Sequence, residues 1–503
     1  MSTTERKNYV VPIIMMIALF AMISFVTGLA NPLGVIIKSQ FGASNLMSQL
    51  GNAANFIAYA FMGIPAGLML SKIGYKKTAL VAIAVGFIGV GIQFLSGQAG
   101  SFPIYLIGAF VSGFSMCMLN TVVNPMLNTL GGGGKKGNQL IQTGGTFNSL
   151  SATIVPVLVG YFIGNAVRPK ISDANPALYI AMGIFALVFV VLLLVNIPEP
   201  HLVKKEAQTV KDKRSPLSFR HFILGAVAIF IYVGVEVGIP NISNLFMTTK
   251  TEVQSKDYIA EYQRQQSDPI YLAQLKTEAD AAVAAADKAR KENAPDVKEK
   301  VATAKAADSK IISKEDYEKV VKVDKDKVYG LGIDATAAGS VVGTYWFLML
   351  IGRFIGASLG ARFSSKNMLI FASLLGLLFV LLAILIPTSS QISMPVFKSD
   401  ISFGMAEVPI GIMFLVLCGL CTSVMWGGIF NLAVEGLGKY TAAASGIFMV
   451  MVCGGGILPL IQGQLADMAG YMSSYWVIFA GLAFLLFYAV IGCKNVNKDI
   501  PVD

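Results

Sequence analysis

The stretch Met118-Leu-Asn-Thr-Val-Val-Asn124, which continues to Leu130-Gly131, has the same layout as Met425-Trp-Gly-Gly-Ile-Phe-Asn431, which continues to Leu437-Gly438. A second pair of stretches is related in the same way. Gly63-Ile-Pro-Ala-Gly67 and Gly352-Arg-Phe-Ile-Gly356 are each followed by a short basic loop. Both pairs relate the first part of the chain to the last, which predicts two duplicated halves. Two related bundles that face each other can rock around a central site near the middle of a membrane.

The composition places much of this chain in lipid. Of its 503 residues, 55% are hydrophobic and only 14% are charged, which is too little charge to cover a soluble protein of this length. Apolar runs of about 20 residues, the length that crosses about 30 Å of hydrocarbon, recur along the sequence. They predict twelve spans, at residues 10–36, 46–70, 78–97, 103–129, 140–165, 177–197, 219–247, 335–361, 367–386, 409–434, 442–466 and 473–493.

These spans predict an all-α membrane protein with twelve transmembrane helices in two pseudo-symmetric six-helix bundles. The N-terminal bundle is expected over residues 1–198 and a linker over 199–218. Helix 7 is expected over 219–248, a soluble insert between helices 7 and 8 over 249–330, and the rest of the C-terminal bundle over 331–503. The insert differs in kind from its neighbours, because residues 250–328 hold 16 basic and 16 acidic side chains. Such a composition is typical of solvated charged helices.

The remaining basic residues predict how the chain lies in the membrane. Outside the insert there are 23 Lys and Arg and 13 Asp and Glu, and 18 of the basic residues fall at the termini or in the loops that follow even-numbered spans. By the positive-inside rule, both termini and these loops are cytoplasmic and the insert is outside the cell. We therefore predict a multi-pass protein of the cell (inner) membrane, with a basic balance that reflects topology and no nucleic-acid partner. The outer insert is expected to be a solvated decoration or the docking site of a partner.

Glu236 stands alone in an apolar span, between Tyr232 and Pro240. A carboxylate at this depth is costly, so it normally faces the bundle interior and marks a substrate or ion pathway. We predict that Glu236 couples transport to an ion or bonds the hydroxyls of the substrate. The structural alternative is a buried acid that is protonated or paired with an arginine.

Amide side chains recur inside the spans, and Asn120 and Asn124, four residues apart, share one helix face. Amides supply both donors and acceptors, which a polyhydroxylated solute needs together with an aromatic platform. A single Asn is equally well explained as a hydrogen bond between helices. The predicted substrate-binding set is Asn31, Asn120, Asn124, Asn148, Glu236, Asn241, Tyr345, Trp426 and Asn431.

Arg353 lies near the predicted cytoplasmic end of span 8. We consider two interpretations. Arg353 pairs with Glu435 or a helix C-terminus as part of an inner gate, or its guanidinium only reaches along the helix to the membrane surface.

Several of these stretches resemble the major facilitator superfamily, and within it the fucose–proton symporter family, which includes glucose/galactose permeases. Gly67-Leu-Met-Leu-Ser-Lys-Ile-Gly74-Tyr-Lys76-Lys77 is similar to the superfamily's motif in the loop between spans 2 and 3, with Ser71 in place of the usual aspartate. The stretches that resemble the narrower family are spread over the whole chain except the insert. They are Gly28-Leu-Ala-Asn31, Asn124-Pro125, Thr146-Phe-Asn148-Ser149, Tyr232-Val-Gly-Val-Glu236, Tyr345-Trp346, Gly352-Arg353-Phe354 and Gly454-Gly-Gly456.

The resemblance implies cation-coupled uptake of a hexose or deoxyhexose. We predict a secondary active transporter that imports a hexose, deoxyhexose or amino sugar by alternating access, with no cofactor and with H⁺ or Na⁺ as the coupling cation. Fucose–proton symporters carry an acid in span 1 and another in span 4, and the positions here that resemble them are Val35 and Asn120. Proton symport, sodium symport and facilitation therefore all remain open. An exporter of lipophilic compounds and a transporter-like membrane sensor are the alternatives. No nucleophile–base pair or metal-ligand spacing points to an enzyme or a metal site.

Overall fold

A computed structural model describes residues 9–29, 45–163, 174–199, 215–292, 294–398, 401–497 and 500. Long helices dominate, because the apolar runs satisfy all their backbone hydrogen bonds internally when they are helical. In the first half they are α1 (Val10–Gly28), α2 (Asn45–Ala99), α3 (Phe102–Leu130), α4 (Gly134–Ile163) and α5 (Asn175–Leu194).

The second half contains the insert and the remaining long helices. Its helix α6 is Arg220–Thr248, and the insert that follows forms α7 (Glu252–Ser267), α8 (Pro269–Lys291), α9 (Val297–Asp308) and α10 (Lys314–Asp326). Then come α11 (Ala335–Leu359), α12 (Ser365–Leu385), strands β1 (Gln391–Phe397) and β2 (Phe403–Pro409), α13 (Ile410–Thr422), α14 (Met425–Val434), α15 (Thr441–Met451), α16 (Gly454–Ala469) and α17 (Tyr471–Phe487).

Ten stretches of helix within the described residues are long and apolar enough to cross a membrane. One of them, Ala54–Ala99, is 46 residues long, which exceeds the length that one crossing needs. Its backbone leaves the helical conformation at Gly74 (φ 84°, ψ 179°), so two helices meet there. The 30-residue helix α4 is outside the ten. Dividing Ala54–Ala99 at Gly74 and adding α4 would give the twelve predicted crossings, and the exact number stays a prediction.

The junction at Gly74 is held by a carboxylate from the end of the first half. Glu199 accepts hydrogen bonds from the backbone N–H groups of Tyr75 and Lys76, at 2.7 and 2.9 Å. These groups open the helix that follows Gly74, where the partial positive charge of a helix start favours an anion. A side chain at Gly74 would place its Cβ 2.5 Å from a Glu199 oxygen. The motif in the loop between spans 2 and 3 is thus hydrogen-bonded to the end of span 6.

The insert is a set of helices, and the chain segments at which it begins and ends are hydrogen-bonded to each other. Gly330 N–H donates to the Lys250 carbonyl, and Gly332 N–H donates to the Thr249 carbonyl. Its α8 and α9 pack through small apolar side chains such as Ala286 and Ala304. Lys322 in α10 pairs with Asp467 in α16 at 3.3 Å. These contacts join the insert to the C-terminal half.

The hairpin β1–β2 is an element that the sequence did not predict in a fold that is otherwise helical, as expected. The two strands pair antiparallel from Gln391 opposite Pro409 to Phe397 opposite Phe403. Met394 and Val396 are buried and alternate with exposed neighbours, which is the periodicity of a half-buried strand. Phe397 N–H donates to Thr344 Oγ1 at 2.8 Å, which fixes the hairpin against α11.

The two halves meet closely on the side opposite the insert. Gly63 and Gly67 of α2 face Gly446 of α15, and a Cβ on Gly446 would lie 2.6 Å from the Gly63 carbonyl oxygen and 2.8 Å from Gly67 Cα. Small residues allow helix backbones to come this close. Ser445 Oγ donates to the Thr121 carbonyl at 3.0 Å, a group that Pro125 leaves without its helical N–H donor. The space between the two halves is therefore closed on this side.

Candidate functional site

A cavity of about 810 Å³ lies between the two halves. Its lining includes residues of α1, α4, α6, α11 and α14, and it extends to Thr336 in the first turn of α11, directly after the insert. The cavity therefore opens toward the end of the protein that carries the insert. Five of the residues singled out from the sequence line it: Asn120, Asn148, Glu236, Arg353 and Trp426.

Glu236 and Arg353 form an ion pair inside this cavity. Arg353 Nη2 lies 3.2 Å from Glu236 Oε1, and the side chains are only 12% and 15% exposed for Arg353 and Glu236 respectively. A pair with so little water contact depends on good geometry and on further hydrogen bonds that satisfy the remaining donors. The arginine-paired acid that the sequence left open is the arrangement that the structure contains.

The other end of the Arg353 guanidinium reaches across to the N-terminal half. Its Nη1 donates to Ser149 Oγ at 2.7 Å, to the Gly145 carbonyl at 3.2 Å and to Asn148 Oδ1 at 3.3 Å. All three acceptors belong to α4, whereas Arg353 and Glu236 belong to the C-terminal half. Arg353 therefore bridges the two halves at the cavity, because a planar guanidinium can donate in several directions at once.

The expected gate between Arg353 and Glu435 is not formed in this structure. Glu435 is exposed, and its backbone carbonyl contacts His221 Nε2 at 3.0 Å. Arg353 also does not extend to the membrane surface, since its acceptors lie in the cavity. The physical reason is that the buried carboxylate and the three acceptors on α4 satisfy the guanidinium better than a distant exposed acid.

Tyr345 supports the site from behind. Pro240 has no N–H, so the carbonyl of Glu236, four residues earlier, lacks its helical donor. The Tyr345 hydroxyl donates to that carbonyl at 3.1 Å and lies 3.1 Å from Thr422 Oγ1. With 1% exposure, Tyr345 is buried behind the cavity wall.

A chain of hydrogen bonds runs from α2 through α3 to α14. Asn120 Nδ2 donates to the Tyr59 hydroxyl at 2.8 Å. Asn124 Nδ2 donates to the Asn120 carbonyl at 2.9 Å, and Trp426 Nε1 donates to Asn124 Oδ1 at 3.1 Å. Asn120, Tyr59 and Trp426 line the cavity, and Asn124 is fully buried behind them.

The other predicted residues are less uniform in their placement. Asn148 lines the cavity, and its Nδ2 donates to the Phe20 carbonyl at 2.9 Å. Asn431 is buried and donates to Ser365 Oγ at 2.8 Å, which is a contact between helices. Asn241 is exposed at the surface. Asn31 lies outside the described residues.

Several polar lining residues were not predicted from the sequence. Among the described residues they are Ser24, Thr27, Tyr59, Gln142, Ser149, Thr153, Thr336, Ser340, Lys398 and Ser423. Gln142, Ser149 and Thr153 are seven and then four residues apart, which is the spacing of one helix face. This periodicity, read on the same helix as Asn148, is a signal that could have identified the α4 contribution.

Two bundles of helices long enough to cross a membrane, facing each other across a cavity that holds a buried ion pair, are typical of a polytopic transporter. A family model of the Major Facilitator Superfamily matches residues 14–253 and 318–499. The chain belongs to the major facilitator superfamily. It is accordingly a multi-pass membrane transporter and not an enzyme. The match to the family does not cover residues 254–317, which are the larger part of the insert.

Individual relatives match along nearly the whole chain. A glucose/galactose transporter of Brucella abortus (strain 9-941) is 26% identical over 98% of this chain and 97% of its own length. The L-fucose-proton symporter of Escherichia coli (strain K12) is 22% identical over 93% of this chain and 89% of its own. A crystal structure of the transporter FucP in the outward conformation is 18% identical, covers 96% of this chain and 99% of that chain, and has a TM-score of 0.66. That structure supports the fold.

Proposed function

We propose that this protein imports a small sugar, a hexose, deoxyhexose or amino sugar, by alternating access, with a cation as the coupling ion. The observation that carries the proposal is the cavity between the halves, whose lining combines amides, hydroxyls, the indoles of Trp346 and Trp426 and an ion pair. Amides and hydroxyls bond sugar hydroxyls in both senses, and the indoles provide apolar faces. The names of the relatives from Brucella and Escherichia support the same class of substrate.

An exporter of lipophilic compounds is a weaker explanation of this cavity. Such a protein needs a lining of aromatic and aliphatic side chains that accepts many shapes. Here Gln142, Asn148, Ser149 and Asn120 converge on the same space as Glu236. These groups are already hydrogen-bonded within the protein, and the rest of the lining is largely apolar. An apolar solute could not use the hydrogen-bonding capacity of the amides and hydroxyls, whereas a polyhydroxylated substrate could, which favours the latter.

The orientation of the protein is part of the proposal. The basic loops favour an orientation with both termini in the cytoplasm, in the inner membrane of the cell. The cavity opens at the opposite end, where the insert lies. In this orientation the structure would be open to the outside and closed to the cytoplasm, ready to receive its substrate. The glycine contacts between α2 and α15 would then be the cytoplasmic closure.

Glu236 is the residue we assign to coupling, with H⁺ or Na⁺ as the ion. Its partner Arg353 is also held by three acceptors of the other half. A cation bound at Glu236 would weaken the ion pair and leave Arg353 to those acceptors or to the sugar. The charge on one carboxylate would thus alter a contact between the two halves.

Uptake by proteoliposomes tests the proposal. Purified protein is reconstituted, and a panel of labelled hexoses, deoxyhexoses and amino sugars is offered under a proton gradient, a sodium gradient or no ion gradient. We expect accumulation of at least one sugar above its external concentration under one of the two ion gradients. Equilibration without accumulation would indicate facilitation. Transport of none of the sugars would contradict the proposed function.

Glu236→Gln is expected to abolish gradient-driven accumulation while exchange of labelled for unlabelled sugar continues. The amide keeps the shape and the acceptor oxygen of the side chain but removes the charge that attracts a cation. Accumulation and exchange are measured in the same vesicles, with Glu407→Gln, an exposed acid of β2, as the control. Undiminished accumulation under every gradient would remove Glu236 from the coupling role.

Replacing residues 251–329 with two glycines is expected to leave uptake within about twofold of the full chain. The chain ends at Lys250 and Gly330 are already joined by a backbone hydrogen bond of 3.1 Å, so a short link can close the gap. The pair between Lys322 and Asp467 is largely exposed and contributes little to stability. Folded, membrane-inserted protein that no longer transports would show that the insert is needed for the cycle.

A further inference from the structure

Trp426 follows an interruption in the helix that carries it. Helix α13 ends at Thr422 and α14 begins at Met425, so Ser423 and Val424 separate the two helices. Transporters of duplicated architecture often build their substrate sites at such discontinuous helices. The Trp426 indole lines the cavity directly after the interruption, with its ring centroid 6.2 Å from that of Tyr232. The indole is thus one of the aromatic surfaces that the cavity offers, together with that of Trp346.

The orientation of this indole is set by the opposite half of the protein. Trp426 Nε1 donates to Asn124 Oδ1 at 3.1 Å. The Asn124 amide can be oriented in only one way, because the atom that lies 2.9 Å from the Asn120 carbonyl must be Nδ2. A carbonyl only accepts hydrogen bonds. An indole N–H only donates, so the oxygen must face Trp426. Asn124 is fully buried, and this bond crosses from α3 in the first half to α14 in the second.

A second hydrogen bond from the first half reaches the same interruption. Gln142 Nε2 of α4 donates to the Val424 carbonyl at 2.8 Å. A Cβ on Gly427 would lie 2.8 Å from the same nitrogen, so this segment and the Gln142 amide are in close contact. Two donor–acceptor pairs therefore hold one short segment of the C-terminal half against the N-terminal half.

We infer that Asn124 is a positioning residue, which holds the Trp426 indole as a sugar platform only while the halves are closed on the side opposite the insert. This inference rests on the proposed sugar function. When the halves separate on that side, the Asn124–Trp426 and Gln142–Val424 bonds must break. The platform then loses its fixed orientation and sugar affinity falls. The protein would bind sugar tightly from the side of the insert and release it on the other.

A double-mutant comparison tests this role by equilibrium binding of the labelled sugar found in the uptake panel. Asn124→Leu removes the acceptor, and Trp426→Phe keeps an aromatic ring but removes the donor. Each change is expected to weaken binding about tenfold, the effect of losing one buried hydrogen bond and leaving its partner unpaired. The affinity of the double variant for the sugar should be no lower than that of the single variant with the lower affinity, because both changes remove the same hydrogen bond. KM should rise in parallel with the dissociation constant.

Controls separate this inference from the proposed function. Asn128→Leu makes the same change one turn along α3 and is expected to bind like the original protein. If the leucine variant misfolds, Asn124→Ser replaces it in the double-mutant comparison with Trp426→Phe, because a serine side chain is too short to reach the indole. Independent effects that multiply in the double variant, or a change in kcat without a change in affinity, would overturn the positioning role. Failure of the unaltered protein to bind any sugar would remove the proposed function and this inference with it.

Discussion

Arg353→Met is expected to reduce sugar uptake at least a hundredfold and to lower the thermal stability of the purified protein. Methionine fills much of the same volume but leaves Glu236 without the cation that it pairs with. Removing one partner of a buried ion pair costs about 3–5 kcal/mol, because the remaining charge is neither hydrated nor paired. The loss also removes three hydrogen bonds to α4, at 2.7–3.3 Å. Arg353 thus contributes to the fold and to the contact between the halves.

The double variant Arg353→Met/Glu236→Gln separates these contributions. It contains no unpaired charge at the pair, so its melting temperature should recover the part of the loss that the unpaired Glu236 causes, but not the part due to the three lost hydrogen bonds to α4. Uptake should remain low, because neither the coupling carboxylate nor the bridge to α4 is present. Arg353→Lys keeps the charge but cannot satisfy all four acceptors, and intermediate uptake is expected. A single Arg353→Met variant with normal stability and uptake would contradict the structural role of the pair.

Gly446→Val is expected to abolish uptake while leaving each half folded. A Cβ at this position would lie within 3.0 Å of three atoms of α2: the Gly63 carbonyl oxygen, Gly67 Cα and Gly67 N. These atoms are backbone and cannot rotate away. Valine should therefore prevent α2 and α15 from closing on the side away from the insert. The favoured state is then the one in which the halves are separated on that side. A protein confined to one state of the cycle does not transport.

Cysteine labelling reports which state is lost. Ser340 lines the cavity near its opening, so Ser340→Cys should react with an impermeant maleimide from the side of the insert. The Gly446→Val change should slow this reaction several-fold. Gly463→Ala is the matched control, because a Cβ there has no neighbour within 4 Å among the described residues. Normal labelling and normal uptake in Gly446→Val would show that the close approach of α2 and α15 is dispensable.

The arrangement of the bundles followed from the sequence because hydropathy and duplication are local, one-dimensional signals. The long helices lie where apolar runs lie, and Gly63, Gly67 and Gly352 were visible as small-residue landmarks. The hairpin β1–β2 was missed because it is short and lies between two long spans. The alternation of Ile392, Met394 and Val396 was present, but a window as long as a span averages it away.

The cavity was only partly predictable. Glu236 stood out because a lone carboxylate in an apolar span is costly. Pairing with an arginine was one of the alternatives that the sequence left open, but the sequence did not identify Arg353 as the partner, since 117 residues and the insert separate the two along the chain. The asparagines show a similar limit. Asn120 and Asn148 line the cavity, whereas Asn431 bonds to Ser365, and an amide in a span serves either role equally well. Which helix face points inward depends on packing that one sequence does not encode locally.

The central claim is that a sugar binds in the cavity between the halves, and protection of Ser340→Cys from a maleimide measures it most directly. The five native cysteines are first replaced, and Ser393→Cys on the exposed face of β1 serves as the control. A transported sugar should slow labelling at position 340 with a half-maximal concentration near its KM and leave labelling at position 393 unchanged. Labelling at 340 that no transported sugar slows would contradict the account.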